Sequence, residues 1–219
     1  MSETGVEAGT LPAEGVRRMF DRIAPVYDVM NHVMTAGLDR RWRRITIDET
    51  VRGDDRVLDA CCGTGDLAIG ARGRGAEVVG LDFSERMLER AARKEPQIEW
   101  VQGDVLALPF EDASFDAVTV GFGVRNVEDL EAGVRELRRV LRPGGRLAPF
   151  YRVWFDRVVP ALGKVLPGGA AYTYLPASVR RFPGPDDLAA LLERTAFVGV
   201  RYRLFAGGIV ALHVAEAGP

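Results

Sequence analysis

The sequence predicts an α/β fold in which a mostly parallel sheet ends in an antiparallel hairpin. Short apolar segments alternate with amphipathic helical segments between residues 56 and 141, which is the rhythm of βαβ units. Near the C-terminus, two apolar segments at 199–204 and 208–213 are separated by a short Gly-containing turn. Two strands joined in this way are typical of an antiparallel hairpin.

Local signals place the individual elements of the sheet. Apolar runs predict parallel strands at 56–60, 77–82, 99–102 and 115–122. Helices are predicted at 66–71, 85–94, 127–141 and 185–195. Ser84 is a good N-cap for the second of these helices, and Pro143-Gly144-Gly145 closes the third.

The N-terminal part divides into a tail and a helical lid. Residues 1–12 are polar and acidic, which predicts a disordered tail. Residues 13–50 are predicted to form the lid, and residues 51–219 the main domain. The lid contains a basic run, Arg40 to Arg44 around Trp42. Such a run either rests on an anionic membrane surface or forms a solvated helix face.

Composition excludes several classes of protein. The chain has 219 residues, 47% of them hydrophobic, and a net charge of −2, which suits one domain and does not favour general nucleic-acid binding. Cys61 and Cys62 are adjacent and the chain has only two histidines, so we expect neither a disulfide nor a metal site. No apolar run is long enough for a membrane span and no secretory signal is present. We expect a cytoplasmic protein. Peripheral association with the inner face of the membrane and assembly into a homo-oligomer are both left open by the sequence.

The strongest local motif is a glycine turn between the first strand and the first helix of the sheet. Residues 58–66 read Leu-Asp-Ala-Cys-Cys-Gly-Thr-Gly-Asp. Gly63 and Gly65 let a ligand approach the backbone closely, because glycine has no Cβ and tolerates positive φ. Asp82 ends the second strand, nineteen residues beyond Gly63. An acid at this offset hydrogen-bonds ribose hydroxyls in nucleotide-binding βαβ units.

A dinucleotide cofactor is the competing interpretation, since Ala68 could replace the third glycine of its motif. The residues after the third strand favour S-adenosylmethionine (SAM) instead. Asp104 can accept from an adenine amino group and Val105 can cover the ring. Asp59 either attracts the methionine ammonium or braces the loop. The pattern predicts a Rossmann-like, class I SAM-dependent methyltransferase fold.

Several separate motifs occur between residues 16 and 213. They are 19–24 with Tyr27, Asp28 and Asn31, then 37–43, 62–68, 122–127, 174–176, 178–180 and 207–213. Together these motifs resemble the menaquinone/ubiquinone biosynthesis C-methyltransferase family. A general SAM enzyme would share only the glycine turn, so the flanking motifs make the resemblance specific.

The resemblance implies methyl transfer from SAM to a ring carbon of demethylmenaquinol, a prenylated quinol. Matched by position, Thr64, Asp82, Asp104 and Val105 would contact SAM. Gly121, where some members have serine, mildly favours menaquinone over ubiquinone chemistry. The alternatives are another small-molecule methyltransferase, such as one acting on a ubiquinone-pathway benzoquinol, or a nucleotide-binding relative without catalysis.

The catalytic candidates are Arg125 and Asn126, just past the fourth strand, and Tyr27 of the lid. Arg125 cannot be a base, but it could stabilise a quinolate or orient a water, unless it pairs with Glu128 or Asp129. Tyr27 could hydrogen-bond a quinol oxygen or serve as a core aromatic. The aromatic run from Phe150 to Val165 could line a path for the prenyl tail or be an ordinary helix face.

The fifth strand departs from the family pattern. Family members continue Gly145-Arg146-Leu147 as a full strand and a loop, whereas here Pro149 follows after one residue. Proline cannot donate in a central ladder. We therefore expect a shortened fifth strand near 146–150, through a deletion or a missing segment, which would threaten activity and stability more than SAM recognition.

Overall fold

A seven-stranded sheet forms the centre of the molecule. The computed structural model describes residues 13–35, 37–152 and 182–219. The strand order is β3-β2-β1-β4-β5-β7-β6. Six of these strands run in one direction, and β7 runs in the opposite direction. The predicted fold class is therefore confirmed. The strands are β1 (Arg56–Ala60), β2 (Glu77–Asp82), β3 (Glu99–Gln102), β4 (Phe115–Val120), β5 (Leu141–Arg152), β6 (Phe197–Phe205) and β7 (Val210–Ala217).

Helices precede the sheet and connect its strands. Ser84 caps α5 as predicted, since its hydroxyl accepts from the Met87 N–H at 3.2 Å. The Asp129 carboxylate caps α6 by accepting from the Ala132 N–H at 2.9 Å, so this helix begins later than its apolar pattern indicated. The helices are α1 (Ala13–Ile23), α2 (Tyr27–Met34), α3 (Leu38–Thr50), α4 (Asp66–Arg72), α5 (Glu85–Lys94), α6 (Leu130–Val140) and α7 (Pro185–Arg194).

Strand order fixes where a ligand can bind. From β1 the chain proceeds outward through β2 and β3, and then returns to place β4 on the other side of β1. The connections therefore diverge between β1 and β4, and in open α/β sheets this divergence opens a crevice at the carboxyl ends of the strands. Leu58 of β1 and Val118 of β4 are fully buried beneath that edge.

The fifth strand itself is not shortened, and the expected deletion or missing segment stays a prediction. β5 is twelve residues long and pairs with both β4 and β7. It starts at Leu141, before the Pro-Gly-Gly segment, and continues through Pro149. Pairing with β7 covers Arg146 and Leu147 and resumes at Phe150, so Pro149 lies between two paired stretches. Pairing on both sides keeps this backbone extended in spite of the proline.

Phe150 and Tyr151 extend β5 and point to opposite faces of the sheet. The Phe150 ring lies 4.5 Å from Phe122 and 6.1 Å from Trp42, between ring centroids. The Tyr151 ring lies 4.6 Å from that of Phe182. Both side chains are buried, so they belong to the core. The rest of the predicted aromatic run, the N-terminal tail and the motifs at 174–180 lie outside the described residues.

The basic run of α3 separates into buried and exposed parts. Trp42 packs inward, and Arg43 contacts the carboxylates of Asp39 and Asp66. The other arginines of the run are exposed. Among the helices that the structure describes, none is both long and apolar enough to cross a bilayer.

Replacing Phe150 tests whether the C-terminal end of β5 is packed in the core. Phe150→Ala should lower the free energy of unfolding by about 3–5 kcal/mol, because it removes a fully packed aromatic ring. Leu204→Ala is the control, because this side chain is 48% exposed on β6; its effect should stay within about 0.5 kcal/mol. Urea denaturation measures both. Equal losses of unfolding free energy in the two variants would show that Phe150 is not part of the core.

Candidate active site

A cleft of about 1150 Å³, including the part open to solvent, lies at the carboxyl ends of β1, β2 and β4. Phe20 of α1 and Tyr27 of α2 contribute to its wall, so the lid borders it. Nine of the ten residues predicted for the site line it: Tyr27, Asp59, Gly63, Thr64, Asp82, Asp104, Val105, Arg125 and Asn126. Gly65 is the predicted residue that lies behind the lining.

The glycine turn needs both of its glycines. Gly63 has φ 56° and Gly65 has φ 83°, in the left-handed region that side chains disfavour. A Cβ on Gly65 would also lie 2.4 Å from the Trp100 ring, which packs behind the turn. Gly63 therefore forms part of the cleft floor, and Gly65 leaves room for the Trp100 ring that supports the turn.

Asp82 fastens this turn to the end of β2. One carboxylate oxygen accepts from the Gly63 N–H at 2.8 Å, and the other accepts from the Ser84 N–H at 2.9 Å. The side chain is 5% exposed. Burial raises the pKa of Asp82 to about 6, although the backbone donors oppose this shift. The carboxylate at the cleft thus carries an unfavourable desolvated charge.

Asp59 is a second buried carboxylate, at the end of β1. Its two oxygens accept from the Thr119 hydroxyl at 2.9 Å and from the Ala68 N–H at 3.0 Å. Burial raises the pKa of Asp59 to about 7. Of the two roles left open by the sequence, these contacts match bracing of the loop, although Asp59 also borders the cleft.

The segment after β3 forms the third part of the cleft. The Asp104 carboxylate accepts from the Leu106 N–H at 2.9 Å, which shapes a tight turn. Val105 is 7% exposed and lines the cleft next to this turn. The Gly103 N–H donates to the Asp82 carbonyl at 3.1 Å, so the ends of β2 and β3 are held together.

Polar contacts attach the lid to the glycine turn. The Thr64 hydroxyl donates to the Asp28 carboxylate of α2 at 2.5 Å. The Lys94 ammonium lies 2.7 Å from Asp28 and 2.9 Å from Asp66, and so joins α2, α4 and α5. The Ser84 hydroxyl donates to Asp21 of α1 at 2.6 Å. Three polar side chains of the main domain, Thr64, Lys94 and Ser84, therefore clamp the lid beside the cleft.

Sequence reasoning assigned no role to Asp28 or Lys94. Asp28 belonged to a recognised motif, and Lys94 is conspicuous because the chain has 29 basic residues but only one other lysine, Lys164. Neither signal indicates a partner, since Thr64 is 36 residues from Asp28.

The catalytic candidates border the same cleft. Arg125 and Asn126 end a 3-10 helix, Phe122–Asn126, that follows β4 directly. The Arg125 Nε donates to the Phe122 carbonyl at 3.2 Å, which restrains the guanidinium near the strand end. Tyr27 reaches the cleft from the lid and lies beside Gly63.

Neither histidine lines the cleft. His213 is buried on β7, where its Nε2 lies 2.8 Å from the Pro185 carbonyl and its ring stacks between Tyr151 and Tyr202. His32 lines a separate depression, where its Nδ1 lies 3.7 Å from the Asp39 carboxylate. These contacts give His213 a packing role on β7.

Comparison with known proteins decides the family. Residues 9–217 match the ubiE/COQ5 methyltransferase family, which is nearly the whole chain. The chain belongs to the ubiE/COQ5 methyltransferase family. This result confirms the predicted enzyme class, a SAM-dependent methyltransferase.

Curated members of the ubiE/COQ5 family are similar over almost their full length. A demethylmenaquinone methyltransferase of Thermus thermophilus is 44% identical, with 90% of this chain and 99% of that protein covered. The enzyme of the same name from Deinococcus radiodurans is 42% identical, with 93% and 92% covered. A ubiquinone/menaquinone biosynthesis C-methyltransferase of Syntrophotalea carbinolica is 40% identical, with 92% and 94% covered.

Solved structures of lower identity share the fold of this ubiE/COQ5 member. A SAM-dependent methyltransferase from Thermotoga maritima superposes with a TM-score of 0.70 at 19% identity, covering 91% of this chain and 98% of that one. The [4+2]-cyclase SpnF superposes with a TM-score of 0.73 at 17% identity, covering 95% and 97%. Since a cyclase shares this architecture, the fold by itself does not fix the reaction.

A matched pair of glycine substitutions tests the turn. Gly65→Ala and Gly144→Ala both place a Cβ at positive φ, but the Gly144 position has open space around it. Gly65→Ala should therefore cost about 1–3 kcal/mol more in free energy of unfolding, because Trp100 must also move. Chemical denaturation of the two variants measures the difference. Equal costs would show that Trp100 does not pack behind the turn.

Proposed function

We propose that this enzyme transfers the methyl group of SAM to a ring carbon of demethylmenaquinol, forming menaquinol in menaquinone biosynthesis. The carrying observation is the acidic, glycine-floored cleft, which Tyr27 faces from the lid and Arg125 faces from the end of β4. The names of the two relatives at 42–44% identity support the choice of acceptor.

The charge of the cleft suits SAM. Five carboxylates and two guanidinium groups line it, so the field inside favours a cation: Asp59, Asp66, Asp82, Asp104 and Glu128 against Arg43 and Arg125. SAM carries a sulfonium and an ammonium, and when bound it supplies a methyl group on a sulfur that is already a good leaving group. An NAD pyrophosphate would instead bring negative charge to these carboxylates.

Each wall of the cleft offers one kind of contact to SAM. Asp82 would accept from the ribose hydroxyls, and Asp104 from the adenine amino group. Val105 would cover the adenine ring. Thr64 would position the turn, since its hydroxyl is already engaged by Asp28. Asp59 would act chiefly by holding the loop in place through Ala68 and Thr119.

The acceptor ring needs electron density at the carbon that is methylated. Loss of a proton from a quinol oxygen supplies it, and the resulting negative charge requires stabilisation. Arg125 stays protonated at neutral pH and would stabilise the quinolate. Tyr27 would hydrogen-bond a quinol oxygen, and Asn126 would orient the water that takes the proton. No histidine borders the described cleft to take this role.

Apolar side chains would keep bulk water away from the reacting atoms. Phe20 and Phe83 meet edge to face, with ring centroids 6.2 Å apart, on the lid side of the cleft. Phe122 and Phe150 form the wall beyond the end of β4. Excluding water strengthens the contact between a guanidinium and a quinolate.

The product of a single reaction tests the proposal. The purified chain is incubated with isotopically labelled SAM and demethylmenaquinol, and the quinone is analysed by mass spectrometry. We expect one labelled methyl group on the ring carbon. A label on oxygen, or none, contradicts the proposal. Preferred methylation of a ubiquinone-pathway benzoquinol supports the alternative activity, which the name of the Syntrophotalea relative allows.

Arg125→Ala should lower kcat about 10²–10³-fold, because it removes the charge that stabilises the quinolate. The affinity for SAM should be unchanged. Arg125→Lys should restore part of the rate, since it keeps the charge. Arg135→Ala is the control, because Arg135 is exposed on α6. Steady-state kinetics combined with calorimetry separates the effects, and an unaltered kcat removes Arg125 from the mechanism.

The protonation state of Asp82 should change the affinity for SAM. The pKa of Asp82 is about 6, and a bound cation favours the carboxylate. SAM affinity should therefore rise with pH between about 5 and 7, with a component centred near pH 6. Asp82→Asn should weaken binding at least about tenfold and abolish this component. Calorimetry between about pH 5 and 7 measures the affinity for SAM, with Asp112→Asn as a control at an exposed position. If the pH dependence near pH 6 survives in Asp82→Asn, Asp82 is not the group that titrates.

A further inference from the structure

The outer side of the lid exposes an apolar strip. Val26, Val29, Val33 and Leu38 are 38%, 67%, 53% and 41% exposed. Val29 and Val33 lie one turn apart on α2, Val26 is the N-cap of this helix, and Leu38 begins α3. Of the seven large hydrophobic side chains exposed in the described residues, these four occur within thirteen positions of one another. A concentration of this kind marks an interaction surface rather than scattered exposure.

Positive charge accompanies the apolar strip. Arg22, Arg40, Arg41 and Arg44 are exposed. Within the described part of the chain, none of them forms a salt bridge, whereas Arg17 and Arg18 of the same lid pair with Glu14. We call the four apolar side chains and these four arginines the lid face.

The acids nearest these arginines have other cations as partners, although Asp28 and Asp39 line one depression together with Arg40 and Arg44. Asp28 is engaged by Thr64 and Lys94 on the side of the glycine turn. Asp39 is buried, and it accepts from the Thr35 hydroxyl at 2.8 Å and pairs with Arg43. The lid face therefore combines apolar side chains with arginines that form no salt bridge among the described residues.

The lid face is next to the cleft. Tyr27 follows Val26 in the chain and lines the cleft, as does Phe20 one helix earlier. One side of the α2 region therefore borders the active site and the other forms the lid face. A partner bound to the lid face would therefore lie next to the entrance of the cleft.

We propose that the lid face rests on an anionic lipid bilayer. The valines would enter the boundary between headgroups and acyl chains, and the arginines would contact the lipid phosphates. The link to catalysis rests on the proposed function, because a prenylated quinol resides in a bilayer and would pass from it into the cleft. The lid would then serve as the route of entry for the acceptor.

Charge argues against a second copy of this chain as the occupant. In a two-fold symmetric contact the same surface meets itself, so the arginines of one copy would face those of the other. A continuous anionic surface accommodates cations on both α1 and α3 at once. Lipid headgroups provide such a surface.

Vesicle sedimentation tests the proposal without any substrate. The full chain should bind vesicles that contain phosphatidylglycerol, weakly bind vesicles of phosphatidylcholine alone, and dissociate as salt is raised. R40E/R41E should weaken binding by more than about 25-fold, at roughly fivefold for each arginine lost. V29S/V33S should weaken it about tenfold, because apolar side chains leave the boundary.

Matched variants on β6 test whether replacing any exposed apolar or basic side chain has the same effect on vesicle binding. Val198 and Leu204 are each 48% exposed, and Arg201 is exposed between them. V198S/L204S and R201E should bind vesicles within about twofold of the parent. Thermal unfolding checks that every variant is folded, which we expect because all the substituted side chains lie at the surface.

Two acceptors separate this proposal from the proposed function. With a tail-less naphthoquinol in solution, the lid-face variants should keep the parent's kcat. With the prenylated quinol in anionic vesicles, they should lose activity in proportion to their lost binding. If the parent methylates neither acceptor, the proposed function fails while the vesicle result stands.

Three results would overturn the lid face as a membrane surface. The first is equal binding of the parent to anionic and neutral vesicles. The second is a loss of binding in the β6 variants that matches the loss in the lid variants. The third is light scattering in which V29S/V33S converts an oligomer to a monomer, which would assign the face to a second copy.

Discussion

The site depends on one hydrogen bond, donated by the Gly63 N–H to the buried Asp82 carboxylate at 2.8 Å. It joins the turn after β1 to the end of β2, and the second oxygen of Asp82 extends the connection to Ser84 and the start of α5. A carboxylate in this position is desolvated, which raises its pKa to about 6. A bound cation would stabilise the charge of this carboxylate, and perturbed carboxylates of this kind are common at functional sites.

The lid depends on the same turn, because Thr64, the next residue after Gly63, donates to Asp28 of α2. Lys94 and Ser84 add contacts between the main domain and the lid. Apolar packing accompanies these polar contacts, since the Phe20 ring of the lid lies against Phe83 of the main domain. On the outside of this lid lies the surface assigned to the bilayer.

Much of the fold could be predicted because its signals are local. Apolar runs mark the strands, and the acid nineteen residues beyond Gly63 marks the end of β2. The contacts of Asp28, Lys94 and Trp100 could not be predicted, since each depends on a partner far away in the chain. β5 misled the prediction because Pro149 disfavours a ladder locally, whereas β4 and β7 pair on both sides of it. The sequence and the family agree on methyl transfer, while the roles of individual site residues stay predictions.

The central claim is that SAM binds across the carboxyl ends of β1, β2 and β3, on the turn that Asp82 holds. A crystal structure of the chain with S-adenosylhomocysteine tests it most directly. We predict ribose hydroxyls on the Asp82 carboxylate, the adenine ring against Val105, and an unchanged hydrogen bond from Gly63 to Asp82. A product analogue bound elsewhere, or bound in the cleft without contact to Asp82, would contradict the claim.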